Sequence, residues 1–447
     1  MIEFVTLLLG LVTGTQAVEV SADERVTRVE FRLDGKTLET LTEPPWYFNC
    51  DFGGALAPHE LVAIAFDADD EELGRVRQWV NLPRERVEAR LALDRKGDAP
   101  ATARLIWSAL DHERPKNVVL TFDGQPLAAD DLRAIVLPPH DPASLHFLRA
   151  ELEFSASERT YAELVFGGTY GDEVSTELTA VVLATTKKAP RPEQMAGWLT
   201  KRGQPLQVVA VDKGPVNLLF IREKTATVLE GLKASFEQKT WQKRRARRPQ
   251  VHTPVLGPND RVRFAFPTAG RKQQVVGQGS ATWSTEQVPV SLDVADYGPL
   301  FDILTSAFYP DQDLPLLKQQ LADAVAIGGV VAASGDQRRM LVLIRSAEAQ
   351  DTSRFSATEA ERYLGLLRVP FRVWTITPEV EDPDEQPGPP PPIWQDERDV
   401  SGALNLRHAL NDLRKDLESQ IVVWVEGAHM THEIELSEKA VGLRPAS

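Results

Sequence analysis

The chain carries one cysteine, Cys50, in 447 residues. That excludes an intrachain disulfide and a cysteine-rich zinc site, and it leaves the redox compartment open. Positive charge is also short: 50 Lys and Arg face 65 Asp and Glu, a formal net charge of −15. Binding a phosphate backbone needs a basic face, so nucleic acid is not an expected partner. No run reaches the roughly 18 to 20 uncharged apolar residues of a membrane-crossing helix, and no transmembrane segment is expected. Gly-x-Ser-x-Gly is missing, and with it the nucleophile elbow of a serine hydrolase. His429-Met430-Thr431-His432-Glu433 is not His-Glu-x-x-His and follows a strand pattern, so its histidines are read as exposed loop residues. Neither glycine (28) nor proline (31) is abundant enough for wholesale disorder, and the 42% hydrophobic content suits two to four folded domains.

The N-terminus reads two ways. Val5 to Val12 is apolar, and Thr15-Gln16-Ala17 has the small-residue character of a signal-peptide cleavage site. Against that, Glu3 stands where a positive residue belongs, and Gly10 with Thr13-Gly14-Thr15 has the composition of a turn between two strands.

The first half contains a duplication. Val29-Glu30-Phe31-Arg32-Leu33 alternates with period two, turns at Asp34-Gly35 and resumes at Lys36-Thr37-Leu38; Val118 to Leu127 repeats this beat around Asp123-Gly124. Each hairpin is followed by a Pro-Pro pair, Pro44-Pro45 or Pro138-Pro139, then by His59 or His146, then by a strand, Leu61–Phe66 or Phe147–Leu152. The copies end in Trp79-Val80-Asn81 and Leu164-Val165-Phe166. Two copies of one β-sandwich module account for this economically. Residues 29–83 resemble bacterial immunoglobulin-like domains, in which such an Asp-Gly hairpin leads to text like Ala65-Phe66-Asp67-Ala68-Asp69-Asp70. The resemblance implies spacing or presentation of other domains.

Past residue 215 the period changes. Val216–Ile221 is an apolar run fit for a buried parallel strand, followed by helical spacing at Val228, Leu232 and Phe236. Strands are expected at Arg261–Phe266, Gln287–Leu292, Met340–Ile344, Phe371–Ile376 and Ile421–Val425. Helices are expected at Leu314–Ala333, Ala357–Leu367 and Ala403–Gln420, and Ser356-Ala357-Thr358-Glu359 is a capping box. Alternation of this kind predicts a doubly wound, Rossmann-like sheet. Gly328-Gly329 within a helix reads as close packing or a bend. Lys239–Arg248 reads as a solvated helix end, and Glu379–Pro392 as an extended loop stiffened by its prolines.

Three texts in this half resemble von Willebrand factor type A domains: Val216 to Val228, Arg338-Arg339-Met340-Leu341-Val342-Leu343-Ile344, and Val369-Pro370-Phe371-Arg372-Val373-Trp374-Thr375-Ile376. The whole chain is similar to bacterial VWFA-related proteins that place immunoglobulin-like modules before such a domain. The expected fold is therefore multidomain: two Ig-like β-sandwiches (1–84 and 85–171), a β-linker (172–214), and a Rossmann-like von Willebrand factor type A-like α/β domain (215–447).

In that family a divalent cation is held at the strand ends by Asp-x-Ser-x-Ser, a distant Thr and the Asp of a Thr-Asp-Gly loop, oxygen ligands suited to magnesium or calcium. This chain departs from the pattern. Arg222 stands where the first Asp belongs, Arg345-Ser346-Ala347 replaces Thr-Asp-Gly, and Tyr309-Pro310-Asp311-Gln312-Asp313 lacks the usual Gly-Thr. Arg222, Arg345 and Ser346 are the candidate partner-binding residues, with the arginines replacing the cation's charge by pairing with acids such as Glu223 or with a partner. A one-residue slip offers Glu223, Thr225 and Thr227 as a variant metal site. No cofactor and no catalytic residue are expected, and the resemblance implies export from the cell. The expected function is non-catalytic protein–protein interaction, assembly or surface presentation, the partner being another protein, self-association included. A metal-dependent adhesin and an enzyme are the alternatives.

Overall fold

Two Asp-Gly turns organise the first half. Asp34 and Gly35 have φ of 53° and 79°, and Asp123 and Gly124 have 50° and 78°. Positive φ at both central residues matches the right-handed twist of the flanking strands, which is why the chain reverses at these pairs. The computed structural model describes residues 2–6, 8, 10–22, 25–82, 87–96, 99–109, 114–141, 145–154, 159–167, 178–223, 225–237, 261–266, 282–284, 319–334, 337–377 and 393–446.

The first module runs through β1 (Ile2–Phe4), β2 (Thr15–Ala22), β3 (Arg28–Leu33), β4 (Lys36–Leu41), β5 (Tyr47–Asp51), β6 (His59–Phe66) and β7 (Glu72–Val80). Its two antiparallel sheets have the orders β1-β2-β5 and β4-β3-β6-β7. Val18, Val20 and Cys50 from one sheet meet Val29, Phe31, Leu61, Ala63 and Ala65 from the other, the inward half of each alternating strand. The second module has β8 (Val87–Lys96), β9 (Ala99–Ala109), β10 (Asn117–Phe122), β11 (Gln125–Leu127), β12 (Ile135–Val136), β13 (Leu145–Glu153) and β14 (Arg159–Gly167). Its sheets, β8-β9-β12 and β11-β10-β13-β14, repeat the first module's order strand for strand. Both are immunoglobulin-like sandwiches. Residues 84–177 form one compact unit, and residues 1–83 with 178–447 form another.

In the larger unit, β15 (Leu178–Thr185), β16 (Leu199–Lys201), β17 (Gln204–Pro205) and β18 (Val208–Asp212) precede an α/β layer. The layer consists of β19 (Val216–Arg222), α1 (Ala226–Glu237), β20 (Arg261–Phe266), β21 (Thr282–Ser284), α2 (Leu321–Ala333), β22 (Arg338–Ser346), α3 (Ala357–Leu366), β23 (Phe371–Ile376), β24 (Glu397–Asp399) and α4 (Ala403–Ser419). Its sheet has the order β21-β20-β19-β22-β23-β24, parallel except for β21. Alternate residues of the strands face opposite ways. Leu218, Phe220, Val342 and Ile344 pack against Val228 and Leu232 of α1 and Leu406, Leu410 and Leu413 of α4. Leu219, Ile221, Leu341 and Leu343 pack against Val325 of α2 and Ala360 and Leu364 of α3. The strands are therefore buried on both faces, as parallel strands are.

Residues 172–214 were expected to link domains; their described part, 178–214, carries strands β15 to β18 of a further β-module. β25 (Gln420–Glu426), β26 (Ile434–Leu436) and β27 (Leu443–Pro445) return to them, giving sheets β18-β25-β15-β27 and β17-β16-β26 around Val181, Leu183, Leu199, Val423, Val425 and Ile434. The α/β layer is thus inserted into a third β-module. Ile421–Val425, expected as a strand of the α/β sheet, pairs antiparallel with β15 and β18 instead. Helix α2 begins at Leu321, where Asp351 accepts the Leu321 and Ala322 amides at 2.9 and 3.0 Å and so satisfies its first turn, and residues 314–318 of the expected helix lie outside the described residues. The Ser356 capping box forms as expected, with Glu359 N–H donating to Ser356 Oγ at 3.2 Å and Ser356 N–H to Glu359 Oε2 at 2.9 Å. The expected strand Gln287–Leu292, Tyr309–Asp313, the basic run Lys239–Arg248 and Glu379–Pro392 lie outside the described residues.

The first sandwich packs on the α/β layer within its unit. Leu56 joins the core between α2 and α3, and the Tyr363 hydroxyl donates to the Asn81 carbonyl at 2.5 Å. Asn81 is itself held by Val12 N–H to Oδ1 at 2.6 Å and by Nδ2 to the Val12 and Ala57 carbonyls.

Candidate functional site

Parallel registry brings the carboxyl ends of β19, β22, β23 and β24 together: Arg222 pairs with Ile344, Arg345 with Thr375, and Thr375 with Asp399. The crevice beyond such ends is where open α/β sheets bind ligands. Arg222, Glu223, Arg345 and Ser346 all lie here and are 2–4% exposed.

Arg345 turns back onto its own strand end. Its Nη1 donates to Glu397 Oε1 at 2.9 Å, Nε to the Ser346 carbonyl at 3.0 Å, and Nη2 to the Ala347 and Ala349 carbonyls at 3.4 Å. Glu397 also accepts the Ile393 and Trp394 amides at 3.0 Å each and the Thr375 hydroxyl at 3.3 Å. One guanidinium and one carboxylate therefore tie together β22, β23, β24 and the turn after β22, with charge-assisted bonds on both sides.

Glu223 accepts the Ser346 amide at 2.6 Å and a hydrogen bond from Thr225. Burial pushes its carboxyl above the usual range, outweighing those bonds and the field of Arg345. Burial also pulls the Arg222 guanidinium down to about 10. Thr225 Oγ1 accepts the Val228 amide at 3.4 Å at the start of α1, and Thr227 is half-buried in that helix's first turn. The structure thus brings every sequence-nominated residue to one place but arranges them differently from expectation. The direct partner of Arg345 is Glu397, not Glu223, and Arg222, Arg345 and Ser346 are buried.

Glu397 was missed because β24 is three charged residues, Glu-Arg-Asp, beside a proline-rich stretch, with no apolar periodicity to mark a strand. A second arrangement was half visible. His59 Nδ1 lies 2.8 Å from Asp34 Oδ2, and His146 Nδ1 lies 2.7 Å from Asp123 Oδ2, so the Asp-Gly turn and the histidine that the repeat places after it are bonded in both copies. Each aspartate also accepts the amide following its histidine, from Glu60 at 2.9 Å and from Phe147 at 2.8 Å. Among the described residues no group of three or more His, Cys, Asp or Glu side chains is arranged to hold a metal ion.

No family model matches the chain, and no curated protein matches it. Solved structures similar to parts of it include fibronectin(III)-like modules of CbhA from Clostridium thermocellum, 20% identical over 18% of this chain and 93% of that chain, TM-score 0.17. A central fibronectin-III array of RIM-binding protein is 9% identical over 43% of this chain and 80% of that one, TM-score 0.22. Proximal thread matrix protein 1 from the mussel byssus is 12% identical over 51% of this chain and 50% of that chain, TM-score 0.27. These scores carry no functional argument. The chain is a mostly β multidomain protein with immunoglobulin-like sandwiches, and among its described residues no helix is long and apolar enough to cross a membrane.

Proposed function

We propose that this protein is non-catalytic and works by binding other proteins, in assembly or surface presentation, and that its α/β layer is a von Willebrand factor type A-like domain in which a guanidinium has replaced the metal ion. The sheet order, with one antiparallel strand beside β20, supports the domain type. The observation that carries the reading is the position of Arg345: at the strand end matching the family's Thr-Asp-Gly loop, its guanidinium joins three strand ends through Glu397 and three carbonyls. It supplies positive charge there without an ion. Two sandwiches and a third β-module in one chain with such a layer suit a protein that presents or spaces binding surfaces.

The test is thermal unfolding of the full chain in chelator and then in excess magnesium, calcium or manganese. Binding at a hundredfold excess over Kd would add about 2.7 kcal/mol. The expected result is superimposable curves. A metal-dependent shift abolished by Thr225→Ala would overturn the reading and make the protein a metal-dependent adhesin using Glu223, Thr225 and Thr227.

A further inference from the structure

The third β-module repeats the first two. Leu199-Thr200-Lys201-Arg202-Gly203-Gln204-Pro205-Leu206 matches Leu120-Thr121-Phe122-Asp123-Gly124-Gln125-Pro126-Leu127 at Leu, Thr, Gly, Gln, Pro and Leu. Its turn has the same conformation, with φ of 51° at Arg202 and 79° at Gly203. Registry agrees: Lys201 pairs with Ile434 as Phe122 pairs with Leu148 and Leu33 with Leu61, so His432 stands where His146 and His59 stand. Arg202 replaces the aspartate that bonds the ring in the other copies, and His432 Nδ1 is buried with no hydrogen-bond partner among the described residues. Burial holds that ring below the ordinary histidine value. Two features set this copy apart. β25 stands between β15 and β18, whose counterparts β2 and β5 pair directly, so β18 and β25 form a hairpin whose loop is the α/β layer. The other is the fourth strand. β7 and β14 run beside β6 and β13, but the order β17-β16-β26 has no described strand beyond β26, and the chain crosses to the other sheet as β27.

The end of α3 bonds to this strand's surroundings instead. Arg368, just past the helix, donates from Nη2 to the Ile434 carbonyl at 2.8 Å, and the Thr431 hydroxyl donates to the Leu366 carbonyl at 3.4 Å. Ile434 is the counterpart of Leu61 and Leu148, which pair with Gln78 of β7 and Leu164 of β14. The layer is also fastened at its base. Arg338 donates to the Gly214 and Leu417 carbonyls at 3.0 Å each, bridging both connections to the hairpin. Gln420 exchanges two hydrogen bonds with the Arg339 backbone, at 2.9 and 3.0 Å. β19 leaves this base at Val216 and ends at Arg222, so at about 3.3 Å per residue the candidate site stands roughly 20 Å from it. We propose that the third sandwich is a split copy that serves as a rigid mount, with the end of α3 built in as its fourth strand, so that layer and mount open only together. A partner at the strand ends then meets a surface held in one orientation; that use rests on the binding function proposed above, whereas the mount itself does not.

The test is native-state amide hydrogen exchange of the full chain in rising urea, below its unfolding transition. The peptides to follow contain Leu199–Lys201, Ile434–Leu436 and Ala357–Leu366. All three are expected to merge into one opening with a common dependence on urea. Exchange of the two sandwich peptides through a smaller opening, while α3 stays protected, overturns the mount without recourse to any variant. Arg368→Met removes the donor to Ile434 and keeps a long side chain. It should lower protection at Ile434–Leu436 and at the end of α3 together, by about tenfold for one charged hydrogen bond. Leu145–Glu153, in the other unit, should be unaffected. A loss confined to α3, or no loss at either place, also overturns the proposal. No metal enters this measurement, so failure of the mount and failure of the metal-free site are separate outcomes.

Discussion

Arg345 Nη1 stands 2.9 Å from Glu397 Oε1, with 3% of the arginine side chain and 15% of the glutamate side chain exposed. Removing one member leaves the other charged, enclosed and short of partners, whereas removing both does not. Arg345→Ala is therefore expected to cost about 3–5 kcal/mol in the stability of the α/β layer. Arg345→Met combined with Glu397→Leu should recover much of that loss. Urea unfolding followed by circular dichroism reads both, and equal losses in the single and double variants would show that the pair's charges are not what holds the strand ends.

Glu223 supplies a pH dependence of known sign. Its carboxyl is held above the ordinary glutamate value of 4.5, chiefly by burial, so the folded chain keeps a proton that the unfolded chain gives up. Stability from this group is fully present below about 4.5 and declines as pH rises through the folded value. Glu223→Gln keeps an oxygen for the Ser346 amide and removes the titration. Comparing unfolding midpoints of the variant and parent between about pH 4.5 and 7 should give a difference that favours the variant increasingly toward neutrality. A constant difference would show that the carboxyl ionises in the fold as it does in water.

Elements with local signatures were legible in the sequence. The duplicated hairpins could be read because Asp-Gly pairs accept the positive φ that such turns require, and β23 because Phe371–Ile376 is a short, largely apolar run after a capped helix. What the sequence hid was pairing at a distance. Ile421–Val425 is buried on both faces, and such a run looks the same whether its neighbours are parallel or antiparallel. Its partners in β15 lie more than two hundred residues earlier, so residues 178–212 looked like a connector. At the candidate site, Arg222, Glu223, Thr225, Arg345 and Ser346 were found by position against a family pattern. Glu397 and the burial of His432 were not, because both depend on which segments meet.

Gly328 and Gly329 lie where α2 leaves no room for a side chain against its neighbours. A Cβ on Gly328 would stand 2.8 Å from Leu341 Cδ1 and 2.9 Å from Ile221 Cδ1, and one on Gly329 would stand 2.7 Å from Leu364 Cδ2. The pair is there for close packing of helix on sheet and helix on helix, and neither residue has the positive φ of a bend. Gly328→Ala should cost about 1–3 kcal/mol by overpacking. Gly365→Ala in α3 meets nothing within 4 Å and should instead stabilise by up to about 1 kcal/mol through helix propensity. Differential scanning calorimetry distinguishes the signs, and a stabilising Gly328→Ala would mean that the sheet side chains yield without strain.

His146 should titrate in the direction opposite to His432. Burial lowers its affinity for a proton, but the hydrogen bonds to Asp123 and to the Asp141 carbonyl, with the charges of both aspartates, outweigh burial and leave its pKa raised above 6.5. The second module's stability from this pair is therefore fully present below about 6.5 and is lost as pH rises through the folded value. Asp123 is 39% exposed on its side chain, so solvent screening limits the effect to about 1 kcal/mol. Nuclear magnetic resonance titration of the histidine rings in the full chain should place His146 above a free histidine, and Asp123→Asn should lower it. If Asp123→Asn leaves the ring's midpoint where it was, the carboxylate does not set it, and the shared Asp–His pair serves geometry alone.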